Sequence, residues 1–224
     1  MNQLIVRTPA SNCEAIQTGN KWFSINPWYM ETISYPDTTS AYYTCAGIRF
    51  QINIPQGAII ESAYLELNSG GAETFYNGKI YAHAADNSDD FVDIPSVLEI
   101  NLRPRTTAKV NWYKYIPGGG VNSSPDIKSV IQEIISRPGW TANNWLTLLF
   151  IANTDEQDFG IWFGYAYDPT RCAKLTINYN PLSTPPKYHP NKKAYSGYHC
   201  FMEQAIKNLE AGYNQYKLPD GTLW

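Results

Sequence analysis

The stretch GIRFQINIPQGAIIESAYLEL, Gly47 to Leu67, restricts the fold of this chain more than any other. Ile48, Phe50, Ile52 and Ile54 alternate with Arg49, Gln51 and Asn53, the period of two of a strand with one wet and one buried face. Pro55-Gln56-Gly57 breaks the alternation, because proline presets its own φ and glycine is open to positive φ. Ile60, Ala63, Leu65 and Leu67 then resume an apolar rhythm among Glu61, Ser62, Tyr64 and Glu66. The pattern predicts two strands joined as a hairpin-like unit of an antiparallel sheet. It carries no catalytic signature.

The flanking sequence extends the same theme. Leu4 to Val6 is a short first strand. Residues 13 to 44 hold turn formers and the aromatics Trp22, Phe23, Trp28, Tyr29, Tyr35, Tyr42 and Tyr43 without a helical stripe, so they predict short strands and loops. Further strands are expected at Lys79 to Ala84, Val97 to Leu102, Lys109 to Tyr115, Trp145 to Ala152, Gly160 to Tyr167 and Ala173 to Tyr179, with turns at Ser69-Gly70-Gly71 and Pro117-Gly118-Gly119-Gly120. One helix interrupts them. Ser124-Pro125-Asp126 offers an N-cap, a proline at the first position and an acid at the positive helix end. Ile127, Val130, Ile131, Ile134 and Ile135 then form one apolar face, ended by Pro138-Gly139. Its β-branched content predicts a helix that depends on packing against a sheet. Many short strands with one packed helix predict a mainly β, two-sheet antiparallel sandwich or jelly roll over residues 1–180.

At Asn180 the composition shifts. PLSTPPKYHPNKK, residues 181 to 193, reads as an extended Pro-rich connector. Beyond it Tyr198, Phe201, Met202, Ala205, Ile206, Leu209 and Tyr213 recur at helical spacing, and the chain ends on Trp224. A single helix of that length is marginal alone, so its apolar face is expected to dock, on its own sandwich or on another subunit. Tyr198, Phe201, Met202, Ile206, Leu209, Tyr213 and Trp224 are the candidate partner-docking residues of a tail spanning 181–224.

Several chemistries are disfavoured. A net charge of −3 with scattered basic residues gives no electrostatic reason to expect nucleic acid. No apolar run reaches the roughly 20 residues of a membrane helix. MNQLIVRTPASNCEA lacks the basic start and apolar run of a secretory leader. Cys13, Cys45, Cys172 and Cys200 lack CxxC spacing, so buried thiols are expected, with one disulfide as the alternative. Synthesis in the cytosol and a life outside a cell fit either state. Of the three histidines, His199 adjoins Cys200, but neighbours on a helix point about 100° apart and do not form a nucleophile and base. Gly118-Gly119-Gly120 lacks the lysine of a phosphate loop. No pair of carboxylates stands out as a glycosidase acid and base. The chain is therefore expected not to be an enzyme.

Two features remain for binding. Asp86, Asp89, Asp90 and Asp93 form an oxygen-rich cluster that could chelate Ca²⁺, although the spacing is not that of an EF-hand. A solvated loop with local Asx turns is the plainer account, so the expected cofactor is none or Ca²⁺. With 17 Tyr and 7 Trp against only 17% charged residues, rings such as Trp22, Trp28, Trp112, Trp140 and Trp162 could stack on sugars. Taken singly, each is more often core packing.

Residues 44 to 179 resemble the jelly-roll domains of the DNRLRE-like class, found in bacterial and archaeal surface or secreted proteins and in phage sequences. The resemblance rests on GIRFQINIPQGAIIESAYLEL, IYAHAADNSDDF, PRTTAKVNW and SPDIKSVIQEIISRPGW, with YAYDPTRCAKLTINY matching the usual last strands. It implies a β-sandwich serving as an adhesive, carbohydrate-binding or structural module. The absent leader and the docking tail set the chain apart from secreted members and make it similar in design to a tailed-phage virion component. A capsid decoration, head-fibre or tail-associated protein is the expectation, oligomeric through its tail, with other virion subunits and host polysaccharide as partners. The alternative is a secreted or cell-surface polysaccharide-binding module.

Overall fold

The computed structural model describes residues 1–10, 13–18, 22–25, 27–35, 42–69, 73–91, 99–116, 120–153 and 158–181. The tail residues Tyr198 to Trp224, Cys200 and Asp93 lie outside them. The described chain is an antiparallel β-sandwich, as the period-two runs predict. Its smaller sheet has the order β1-β12-β6-β9, from Asn2–Arg7 (β1), Lys174–Asn180 (β12), Ile59–Ser69 (β6) and Gly120–Ser123 (β9). The larger sheet holds β2 (Glu14–Thr18), β3 (Trp22–Ile25), β4 (Tyr29–Tyr35), β5 (Tyr42–Ile52), β7 (Thr74–Ala82), β8 (Val110–Ile116), β10 (Asn144–Ala152) and β11 (Asp158–Phe163). Successive strands repeatedly change sheets, the crossing pattern of jelly-roll folds.

The defining stretch is not a hairpin. β5 belongs to the larger sheet and β6 to the smaller, so Pro55-Gln56-Gly57 is an arch that carries the chain from one layer to the other. Ile48, Phe50, Ile52 and Ile54 on one side of the arch and Ile60, Ala63, Leu65 and Leu67 on the other enter the same buried core. Period-two alternation gives a strand its faces but leaves its neighbours unspecified, so a hairpin and an arch read alike. Tertiary contacts hold the arch. Gly57, at φ 71°, donates its N–H to the Ile135 carbonyl at 2.9 Å, and the Trp140 Nε1 donates to the Ile54 carbonyl at 2.9 Å.

Between β5 and β7 the larger sheet divides. At one end β10 alone bridges them, pairing Leu148 with both Ile48 and Ala82. At the other, β4 and β11 fill the gap, from Ile33 opposite Thr44 to Phe159 opposite Phe75. Gly78 sits at this fork, where a Cβ would stand 2.6 Å from the Ile151 carbonyl oxygen.

The expected helix is α2, Lys128–Ile135, with Val130, Ile131, Ile134 and Ile135 buried. Its leader departs from the expected cap. The N-cap residue is Ile127, without a side-chain cap. The Ser124 Oγ accepts the Leu65 N–H at 3.0 Å, and the Asp126 Oδ1, the acid expected at the helix start, accepts both the Ala63 N–H at 3.0 Å and the Lys128 N–H at 2.9 Å. The Gln132 Oε1 accepts that of Ile60 at 2.8 Å. These side chains continue the β6 edge past the end of β9, where its donors would otherwise be buried without acceptors. The predicted strand Val97 to Leu102 is also replaced: Glu99–Leu102 is a single helical turn, α1. There Ile100 packs with Phe91, Ala15, Cys45 and Leu149 on the outer face of the larger sheet.

Candidate functional site

Part of that outer face is covered by residues 83–91, which follow β7. Arg49, expected on a wet face, is only 3% exposed because this segment lies over it. Its guanidinium pairs with Asp90, donates to the Ser88 carbonyl at 2.9 Å and stacks over the Trp145 ring at 4.4 Å. Arg103 is likewise buried, donating to the Ser88 Oγ and the Asp89 and Asp90 carbonyls and lying over Phe91. Asp86 accepts from the Arg137 Nε at 2.6 Å. Asp86 and Asp90 are thus arginine partners that fasten the loop, and Asp89 contributes its carbonyl. Among the described residues no group of three His, Cys, Asp or Glu side chains converges to hold a metal ion.

The same cluster brings a serine and a histidine together. The His83 Nδ1 lies 2.7 Å from the Ser88 Oγ, which is also 2.6 Å from the Thr147 Oγ1 and 3.0 Å from Arg103. Ser88 is buried, and the neighbouring guanidinium donates to its oxygen. Burial first, and then Arg103, push the His83 pKa down to about 4, so the ring is a weak base. The arrangement fastens a loop. It lacks the exposed, activated oxygen of a nucleophile.

Another part of the face, around β4 and β11, carries the candidate site. Tyr29 on β4 is opposite Phe163 on β11. After Phe163 the chain turns on itself, with the Tyr167 and Asp168 N–H groups donating to the Gly164 carbonyl. This folds Tyr167 flat onto Phe163, with centroids 4.5 Å apart and planes 3° apart. Tyr29 lies 5.2 Å from Tyr167, and Trp28, from the turn before β4, lies 6.3 Å from it. Arg171 covers the Phe163 ring at 4.0 Å. Phe163 is buried beneath this group, while Trp28, Tyr167 and Tyr29 are 67%, 44% and 40% exposed. Three adjoining rings therefore present a wet apolar platform over a packed aromatic base.

Polar groups border it. Asp168 accepts from the Thr170 N–H and hydroxyl, which hold its carboxyl below the usual range. Lost hydration and a hydrogen bond with Tyr167 hold the Tyr29 phenol above its ordinary value. Glu31, two residues along β4 on the same strand face, is pushed up by burial. A second exposed group lies on β7 and β8, where Phe75 meets Tyr113 edge-on at 5.0 Å beside Tyr115.

Of the tryptophans singled out for stacking, Trp112, Trp140 and Trp162 are core residues. The side chain of Trp22 lies outside the described residues. Trp28 alone of the five is shown at the surface, and its companions Tyr29 and Tyr167 were not singled out by sequence. The available signal was an aromatic beside a turn, Pro27-Trp28-Tyr29 and Tyr165-Ala166-Tyr167-Asp168-Pro169. Cys13, Cys45 and Cys172 are buried thiols, as expected. No described helix is long and apolar enough to cross a membrane.

A scan against protein-family models matches none, and no curated protein matches the chain. The DNRLRE-like resemblance rests on the sequence motifs themselves.

Proposed function

We propose that this protein is a non-enzymatic binding and display module whose sandwich holds polysaccharide on the Trp28–Tyr29–Tyr167 platform. The observation that carries the reading is three exposed rings, brought together from β4, the turn before it and the turn after β11, on a packed aromatic base. Pyranose rings have apolar C–H faces that stack on such platforms, while their hydroxyls meet polar groups such as Glu31 at the edge. Affinity electrophoresis in gels containing xylan, mixed-linkage β-glucan, alginate or pectin tests it. The protein should be retarded by at least one of them. Trp28→Ala should lower that affinity about tenfold, or ~1.4 kcal/mol. Its thermal stability should be unchanged, because the ring is exposed. A retardation that survives both Trp28→Ala and Tyr167→Ala rules the platform out.

The amphipathic spacing of Tyr198, Phe201, Met202, Ile206, Leu209 and Tyr213 favours a second, compatible reading. In it the module is a structural part of a phage virion, fastened to neighbouring subunits through residues 181–224 and assembled in the host cytoplasm. Light scattering of the full chain beside one ending at Asn180 tests the self-assembling form. An assembled full chain with a monomeric truncation supports it, and two monomers exclude it.

A further inference from the structure

Glu14, the first residue of β2, is fully buried beneath the two turns that carry the platform. Its Oε2 accepts the Tyr165 N–H at 2.6 Å, two residues before Tyr167. Gly164, next to Tyr165, donates to the Trp28 carbonyl at 3.0 Å. Space there is so restricted that a Cβ on Gly164 would collide with the Pro27 carbonyl and stand 3.0 Å from the Glu14 Oε2. The carboxyl, the Trp28 turn and the Tyr167 turn therefore meet at one point. The other oxygen, Oε1, makes no full hydrogen bond among the described residues, and the Thr8 hydroxyl that faces it stands outside full hydrogen-bond geometry yet near enough to favour the charged form.

The surroundings favour the neutral acid. Facing Glu14 are the Thr8 hydroxyl, the Tyr165 N–H, and the thiols of Cys13 and Cys172. Arg7 acts on Cys172, its guanidinium donating to the Cys172 carbonyl at 2.9 Å. Arg49 and Asp90 act on Cys13 from the other side. Burial, the largest influence, pushes the carboxyl up to about 7, against the smaller pulls of the Tyr165 N–H and the Thr8 hydroxyl. When the acid gives its proton to solvent, it leaves a buried carboxylate that faces only the Tyr165 N–H and the Thr8 hydroxyl as oxygen or nitrogen donors. Such a charge gains by admitting water or further donors.

We infer that Glu14 is a positioning residue for the platform: as the neutral acid it lets the Trp28 and Tyr167 turns close over it, and its ionisation parts them. The inference rests on the platform being the binding surface. Its test is made without polysaccharide, so the two fail separately.

Intrinsic fluorescence of the full chain is followed from about pH 5 to pH 9. Trp28→Phe supplies the contribution of the other tryptophans. The Trp28-dependent signal should change with a midpoint near 7 in the native protein and stay flat in Glu14→Gln, which retains an acceptor for Tyr165. A merely structural glutamate would leave the profile of Glu14→Gln like that of the native protein, and that result overturns the proposal. Carbon-13 spectra of glutamate-labelled native protein provide a readout independent of any variant. A Glu14 carboxyl that titrates in the ordinary range near 4.5 also overturns it.

Discussion

At the scale of single residues, buried titratable groups set how this protein responds to pH. His83 has a folded pKa lowered from 6.5 to about 4. As pH falls below 6.5 the unfolded chain takes up a proton that the folded protein resists, so stability is lost down to about 4. Glu14 runs the other way, its folded pKa raised from 4.5 to about 7. As pH rises above 4.5 the unfolded chain releases a proton that the folded protein retains, so stability is lost up to about 7. Across the shared window the two slopes oppose each other. Urea denaturation should therefore show little pH dependence there in the native protein. Glu14→Gln should become more stable with rising pH, and His83→Asn less stable. Variants with equal slopes would show that other groups govern the response. Neither residue was marked by sequence. Glu14 reads as an ordinary acid before a short strand, and only the layers packed around it remove its water.

At the scale of elements, close approach between strands decides which small residues can change. Gly78→Ala would place a methyl 2.6 Å from the Ile151 carbonyl, against backbone that cannot rotate away. It should cost about 1–3 kcal/mol or more, measured by denaturant unfolding. At Gly47 the same methyl would meet the end of the Phe91 ring, a side chain that can move. Gly47→Ala should instead loosen the cover over Arg49, seen as faster amide exchange at residues 86–91 with a smaller loss of global stability. Equal losses at both positions would contradict this distinction. The apolar face of α2 was plain from Ile127, Val130, Ile131, Ile134 and Ile135, because helical periodicity is local. The work of Ser124, Asp126 and Gln132 was not. Their acceptors serve β6, some 59 to 72 residues away in sequence, and no spacing rule reaches that far.

At the scale of the molecule, the main core among the described residues is drawn from positions between Leu4 and Tyr179. The chain ending at Asn180 should therefore keep one cooperative thermal transition within about 3 °C of the full chain. Scanning calorimetry checks this, and a broad or strongly lowered transition would mean that residues 181–224 complete the core.

The sequence by itself determined most of the strands, the strand faces turned to the core and the packed helix α2 with its apolar face. Those features follow from local alternation, helical spacing and turn chemistry. Only the tertiary structure decided that Pro55-Gln56-Gly57 joins two sheets and that Arg49 is buried under Ser88 and Asp90. It also sent Trp112, Trp140 and Trp162 inward and left Trp28 at the surface with Tyr29 and Tyr167. The physical reason is common to all of these. A side chain's burial depends on what crosses over its strand, and those covering segments come from parts of the chain far from it.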